Sequence, residues 1–162
     1  MSAVQEELRP SFLKSCAAGD LARAEQLYAS LTPVDIMFAQ EALINAVDNK
    51  HSAIIDFLLQ KLPGSFTSKL PEKIVLHAVD AGTEILERLL RHDPSLAEGE
   101  FGHQGDLLAM AVMANDLDLV RLLISHGASP LKSTMFHRPI LDVAKTQKRI
   151  SQSIVQELNR SM

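Results

Sequence analysis

Two His–Asp pairs have the residue types and spacing that acid–base chemistry uses. His77 and Asp80 stand three residues apart, and His103 and Asp106 have the same spacing. His77 and Asp80 fall on a predicted helix, where residues three apart share one face, so the imidazole can move a proton or orient a ligand beside the carboxylate. His103 and Asp106 fall at a junction between a loop and a helix. The alternative is structural: His77 and Asp80 make an ordinary contact along a helix, and Asp106 caps the helix that follows it.

Three other histidines and the single cysteine are predicted to have structural roles. His51, His92 and His126 come near predicted helix ends, and Cys16 falls in an apolar stretch where a thiol packs as a small apolar group. No His-x-x-His or Cys-x-x-Cys spacing occurs, so the sequence predicts no metal site. The glycine motifs of nucleotide-binding loops and of hydrolases are also absent from the sequence, and no cofactor is expected.

The composition indicates a globular protein with an aliphatic core. Hydrophobic residues make up 46% of the 162 positions and aromatic residues only 4%. The net charge of −4 lacks the basic footprint that nucleic-acid binding needs. The sequence has no apolar run of membrane-spanning length and no secretion signal at its start. We therefore expect a monomer in the cytoplasm, or in the nucleus, that binds neither nucleic acid nor membrane.

A small residue recurs along the chain at a nearly constant interval. Ala111 lies 33 residues after Ala78 and 33 before Ala144, and the series continues backwards to Ala46 and Ser15. A large apolar residue stands three positions before each member of the series: Phe12, Leu43, Val75, Leu108 and Leu141. A fixed period of this size is typical of repeat architectures.

The spacing of apolar residues within each repeat predicts two short helices. In the fourth repeat, apolar residues recur at i, i+1, i+4 and i+5 from Leu107 and again from Leu119, so both segments are helices with one apolar face. Asn115 or Asp116 can cap the second helix. Gly127 ends it, because glycine enters the left-handed conformation without a steric penalty.

The order of helix, turn, helix and extended loop, with a period of 31–33 residues, resembles the ankyrin repeat. The unit most similar to the family reads "AVMANDLDLVRLLISHGASP". The resemblance implies an all-α, ankyrin-like solenoid of four to five stacked helix–turn–helix repeats, with short extended loops and a C-terminal capping helix. The expected units of this single domain, 1–162, are residues 8–33, 34–65, 66–98, 99–131 and 132–162. Tetratricopeptide repeats are the alternative fold.

The sequence departs from the family pattern at two points, the start of the repeat and its middle turn. The Thr-Pro-Leu-His start of the family is absent. The glycine of the middle turn is kept as Gly19 and Gly82, whereas Lys50 and Asn115 replace it in two other repeats. These are therefore degenerate repeats, with loops that can differ from the family norm.

The last segment of the sequence predicts the capping helix. It is mostly polar, but Ile150, Ile154 and Leu158 keep an apolar stripe at i, i+4 and i+8. A helix with one buried and one solvated face is what a terminal repeat needs.

The resemblance implies a protein–protein interaction module, either an adaptor or a regulatory or inhibitory subunit, rather than an enzyme. Members of the family bind through a concave face of first helices and through loop tips. The first helices here supply Asn45, Asp48, Asn49, His77, Asp80, Met110 and Met113. The loop tips add Met37, Phe38, Phe101, His103, Met135, Phe136 and Arg138. The alternative for each loop phenylalanine is that it packs onto its own repeat.

A different class of function remains open on the same residues. The face can form a pocket for a small molecule, lined by His77, Asp80, His103 and Met110, and the chain is then a small-molecule-binding protein or a small enzyme. In that case His77, Asp80 and His103 are the candidate catalytic residues. A closed apolar cavity with convergent polar groups favours this alternative, whereas an open grooved face favours a protein partner.

Overall fold

Helical pairs built on the repeated pattern make up most of the described chain. The computed structural model describes residues 3–32, 34–62, 64, 70–101, 105–132 and 138–162. Contacts within the chain divide it into two units, Met1–Asp93 and Pro94–Met162, and each unit is treated by itself below.

The described residues of the first unit include three helical pairs. Its helices are α1 (Ala3–Ala18), α2 (Leu21–Tyr28), α3 (Ile36–Asp48), α4 (Ser52–Lys61), α5 (Glu72–Ala81) and α6 (Thr83–His92). The first helices form one layer, in which α3 packs between α1 and α5. The second helices form another layer, in which α4 contacts both α2 and α6.

The second unit opens with a short 3-10 helix, Pro94–Glu98, and an antiparallel strand pair. Strand β1 (Glu100–Phe101) pairs with β2 (Gly105–Asp106), Glu100 lying opposite Asp106 and Phe101 opposite Gly105. Its helices are α7 (Leu107–Met113), α8 (Leu117–Ser125), α9 (Ile140–Thr146) and α10 (Gln152–Arg160). Helix α7 packs on α9 and α8 packs on α10, so the two-layer pattern recurs within this unit.

The core confirms the repeat register that the sequence predicted. The recurring small residues are all buried: Ser15, Ala46, Ala78, Ala111 and Ala144. The apolar residues three positions earlier are buried as well: Phe12, Leu43, Val75, Leu108 and Leu141. A small side chain in the middle of each first helix lets neighbouring helices approach closely. The predicted class, an all-α fold of helix–turn–helix repeats, is confirmed.

Three of the middle turns share a positive-φ conformation although their residues differ, whereas Gly82 in the third repeat has φ +121°. Gly19 has φ +75°, and Lys50 and Asn115, which replace glycine at the matching positions, have φ +57° and +60°. Positive φ is uncommon for residues with a Cβ atom. The turn geometry is therefore set by the helix pair, and the residue at this position has to adopt it.

Side-chain caps begin several helices, as the sequence predicted for two of them. The Asp106 carboxylate accepts the Ala109 backbone N–H at 2.8 Å, and the Asp116 carboxylate accepts that of Leu119 at 3.0 Å. Of the two caps left open for α8, Asp116 is the one used. Asp35 and Ser151 cap α3 and α10 in the same way.

The first and last helices of the described chain differ in their relation to the expected repeat units. Helix α10 is amphipathic as expected, with Ile150, Ile154 and Leu158 buried. Helix α1 begins at Ala3, five residues before the expected start of the first unit at residue 8, and runs through Pro10. None of the helices in the described ranges is long and apolar enough to cross a bilayer.

Candidate partner-binding faces

The first unit presents a polar face on α3 and α5. Asp48, Asn49 and Asp80 are exposed, and Asn45 and His77 are half-buried. All five belong to first helices or their C-terminal ends, and the sides of α3 and α5 that carry Ala46 and Ala78 face the core. We call these five residues the polar face.

His77 pairs with Asp48 and not with the residue that the spacing suggested. The His77 Nδ1 atom lies 2.6 Å from Asp48 Oδ1. The prediction that His77 bonds to Asp80 along the same helix is therefore wrong, because the hydrogen bond of this histidine goes to Asp48. The physical reason is the packing of α3 against α5, which brings a carboxylate of the preceding repeat within reach of the imidazole.

The repeat register contains the signal that finds this pair. Asp48 stands two residues after Ala46, and His77 stands one residue before Ala78. The small residues of successive repeats are buried on neighbouring helices of one layer, so the residues next to them can meet across the repeats. In this pair the two residues are 29 positions apart. A search for contacts within one helix cannot detect them.

The geometry of the pair favours recognition. The side chains are 33% and 46% exposed, so the interaction is solvated and contributes about 0–1 kcal/mol to stability. When the Asp48 carboxylate accepts the Nδ1–H, the Nε2 atom of a neutral imidazole is left as an acceptor. The pair therefore holds His77 in one orientation on an accessible face.

The Asn49 side chain forms a hydrogen bond with the end of its own helix. Asn49 is the C-cap of α3, and its Nδ2 donates to the backbone carbonyl of Asn45 at 2.8 Å. The Asn49 backbone N–H donates to the same carbonyl at 3.3 Å, so the side chain adds a second hydrogen bond at the helix end. The Asn49 side chain is thus held in place while its oxygen remains exposed.

The second unit presents an apolar and basic face. Met110 and Met113 are half-buried on α7. The Arg149 guanidinium lies 3.6 Å from the Met113 sulfur, through its Nη2 atom. Arg138 is exposed and donates from Nη2 to Thr146 Oγ1 at 3.2 Å.

The loop candidates have different outcomes. Phe101 is 5% exposed, as is Phe38, so the expectation of exposed aromatic anchors at these two positions is wrong. Phe101 lies in strand β1, whose alternation turns its side chain inwards. Met37 is 74% exposed, as expected, but it and Phe38 lie in the first turn of α3 and not in a loop. His103, Met135 and Phe136 lie outside the described residues.

A groove in the first unit lies apart from the candidate catalytic residues. Its volume is about 560 Å³, it is open to solvent, and its lining includes Arg9, Asp35, Phe38 and Lys73 but neither His77 nor Asp80. The Arg9 guanidinium stacks 4.6 Å from the centre of the Phe38 ring and pairs with Asp35 at 2.8 Å. The backbone N–H of Phe38 and then the Arg9 side chain hold the pKa of the Asp35 carboxyl below its usual range.

The described part of the chain brings no three His, Cys, Asp or Glu side chains into a metal-binding group. The His77–Asp48 pair can form hydrogen bonds with a group that contacts the polar face.

Comparison with known families identifies one repeat. The Ankyrin repeat model matches residues 107–134, which span α7, α8 and the start of the loop after them. None of the curated proteins compared with the chain matches it. The resemblance predicted from the sequence is confirmed by this match, which covers the fourth of the expected repeats.

Proposed function

We propose that the chain, which carries an ankyrin repeat at residues 107–134, binds another protein through the first-helix faces of its two units. The match carries the proposal, because ankyrin repeats are known protein–protein interaction modules. In this role the chain is an adaptor or a regulatory or inhibitory subunit whose own contribution is recognition.

The burial pattern supports the choice of face in the first unit. The core uses one side of each first helix and leaves Asp48 and Asp80 exposed, with His77 half-buried between the two helices. Because His77 is already oriented by Asp48 at 2.6 Å, little side-chain freedom is lost when a partner contacts it. Pre-organised groups of this kind lower the entropic cost of association.

The second unit supplies a different chemistry. Met110 and Met113 offer polarisable apolar surface, and methionine is a common residue at adaptable interfaces. Arg149 lies against the Met113 sulfur, so a partner side chain placed there meets apolar and cationic groups together. Arginine is enriched among residues that dominate interface energetics.

Affinity capture from native extract tests the proposal. The wild-type chain is compared with an Asp80→Ala/Met113→Ala variant, and bound proteins and small molecules are both identified by mass spectrometry. A Gln60→Ala/Gln156→Ala variant is the matched control, because both residues are exposed on second helices. Circular dichroism and thermal unfolding verify that all three chains are folded.

The expected result is a protein retained by the wild type and the control but lost from the Asp80→Ala/Met113→Ala variant. Retention by all three chains contradicts the assigned faces. A retained metabolite without any retained protein contradicts the proposed function and favours the small-molecule alternative.

A further inference from the structure

We propose that the second unit binds an acidic peptide segment at the turn between α9 and α10. This inference rests on the proposed function and names the chemistry of the partner at one of its two faces. We call residues 145–149, with Lys145, Lys148 and Arg149, the basic turn; it continues the surface formed by Met113.

Positive charge is concentrated at this place in a unit whose charges balance only as a whole. Residues 94–162 contain seven Lys or Arg and seven Asp or Glu residues. Residues 138–149 contain four of those basic residues and a single acidic one, Asp142. The concentration therefore belongs to one surface and does not reflect the charge of the unit as a whole.

The cations of the basic turn form no ion pair with the described residues of the unit. Elsewhere in it, Arg121 pairs with Glu157 at 3.1 Å and Lys132 with Glu100 at 3.6 Å. Lys145, Lys148 and Arg149 are exposed, and the ion pairs of the described residues include none of the three. Their charges are available to carboxylates of a partner.

Helix electrostatics accounts for one of these cations but not for the group. Lys145 lies in the last turn of α9, where a cation offsets the negative end of the helix dipole. Lys148 and Arg149 lie beyond the helix, and the Arg149 guanidinium extends to Met113 on α7. A planar guanidinium binds carboxylates with two parallel hydrogen bonds.

The combination of groups favours a peptide with acidic and apolar residues. Met113 is half-buried beside the Arg149 guanidinium, so an apolar side chain of the partner can contact the thioether while neighbouring carboxylates reach the cations. Nucleic acid is the weaker candidate, because the whole chain has a net charge of −4 and residues 138–149 include no aromatic side chain on which bases could stack.

A peptide-display selection on the folded full chain tests the inference. We expect enrichment of peptides with several Asp or Glu residues next to an apolar one. A synthetic consensus peptide, followed by fluorescence anisotropy, is expected to bind the Lys148→Glu/Arg149→Glu variant about tenfold more weakly than the wild type. The affinity for the wild type is expected to fall as salt is added. Lys61→Glu/Arg160→Glu, with the same change in net charge at two exposed sites, is the control and is expected to bind like the wild type.

Four outcomes would overturn the inference, and they are distinguishable from failure of the proposed function. Two outcomes would show that a protein partner binds at another surface of the chain. One is enrichment of peptides without acidic residues. The other is binding that survives Lys148→Glu/Arg149→Glu but is lost from Asp80→Ala. A chain that enriches no peptide also overturns this inference alone, because affinity capture tests folded partners separately. Binding of fluorescein-labelled oligothymidine that is stronger than peptide binding, and lost from Lys148→Glu/Arg149→Glu, assigns the basic turn to nucleic acid instead.

Discussion

At the scale of single residues, the middle turns carry backbone strain that differs between repeats. Lys50 has φ +57°, a conformation that costs a residue with a Cβ atom roughly 1–2 kcal/mol. We expect Lys50→Gly to raise the free energy of unfolding by about 0.5–1 kcal/mol, since part of the gain is offset by the greater freedom of glycine in the unfolded chain. Urea unfolding followed by circular dichroism measures the change.

Asn115 is the informative contrast to Lys50. Its φ is similar, +60°, but its Oδ1 accepts the Ser151 backbone N–H at 2.8 Å, and asparagine tolerates this conformation better than lysine. Asn115→Gly is therefore expected to lower stability, by about 1 kcal/mol for the lost hydrogen bond. Equal stabilisation by both substitutions would contradict this account of the turns.

Gly19 is required for a second reason besides its φ of +75°. A Cβ atom at this position would lie 2.7 Å from the His51 ring, whose Nε2 atom is 3.0 Å from the Ala17 carbonyl oxygen. We expect Gly19→Ala to cost about 2–4 kcal/mol from strain and overpacking together. Gly127→Ala is the control, because Gly127 also has positive φ but has no atom within 4 Å of such a Cβ. A cost no larger at Gly19 than at Gly127 would contradict the packing role of His51.

The Cys16 thiol gives a pH dependence of stability with a defined sign. Cys16 is buried, and burial raises the pKa of its thiol from 9.0 to about 12. Between these values the unfolded chain loses the proton and the folded chain keeps it, so the free energy of unfolding should fall as pH rises from about 9 to about 12. Below about pH 9 this group contributes no slope.

Comparison with Cys16→Ala isolates the contribution of the thiol, because the other groups titrate in both chains. Unfolding curves measured across the same pH range should converge as the pH rises, since only the wild type loses stability through this group. Parallel curves, or rapid alkylation of the native thiol at neutral pH, would contradict the burial of Cys16.

At the scale of elements, α10 stabilises the second unit through two buried side chains. Ile154 and Leu158 are fully buried, and α10 packs on α8 and α9. We expect Leu158→Ala to lower the free energy of unfolding by about 2–5 kcal/mol, from lost burial and the cavity left behind. Gln156→Ala on the exposed side of the same helix should change it by less than about 0.5 kcal/mol. Similar effects of both substitutions in urea unfolding would contradict the capping role.

The elements also mark where sequence reasoning succeeded and where it stopped. The period of the small residues located the first helices, since Ala46, Ala78 and Ala111 are buried at the matching positions. Periodicity along one helix could not identify Asp48 as the partner of His77, because that contact depends on packing between helices. Nor could it predict that Phe101 enters a two-residue strand and becomes buried.

The sequence predicted the polar face better than the basic turn, because contacts between helices do not show in the periodicity of a single helix. Exposure of Asp48 and Asp80 follows from the repeat register, which assigns the opposite side of each helix to the core. The basic turn was not recognised, although its residues are plain in the sequence. Its signal is the contact between Arg149 and Met113, which are 36 residues apart and meet only in the folded unit.

At the scale of the whole molecule, both units repeat one plan with different surface chemistry. In each unit the first helices form one layer and the second helices another. The first unit has exposed carboxylates and a half-buried histidine on its first helices, and the second has half-buried methionines and exposed cations. We therefore expect partner contacts to concentrate on first helices and to be sparse on second helices.

Site-specific photo-crosslinking tests this central claim most directly. A photoreactive phenylalanine analogue is placed at Asp80 or Met113 on first helices and, for comparison, at Gln60 or Gln156 on second helices, and each chain is irradiated in native extract. The account predicts a common crosslinked protein from the positions of Asp80 and Met113 and none from those of Gln60 and Gln156. Crosslinks to that protein from the second-helix positions alone would contradict the account.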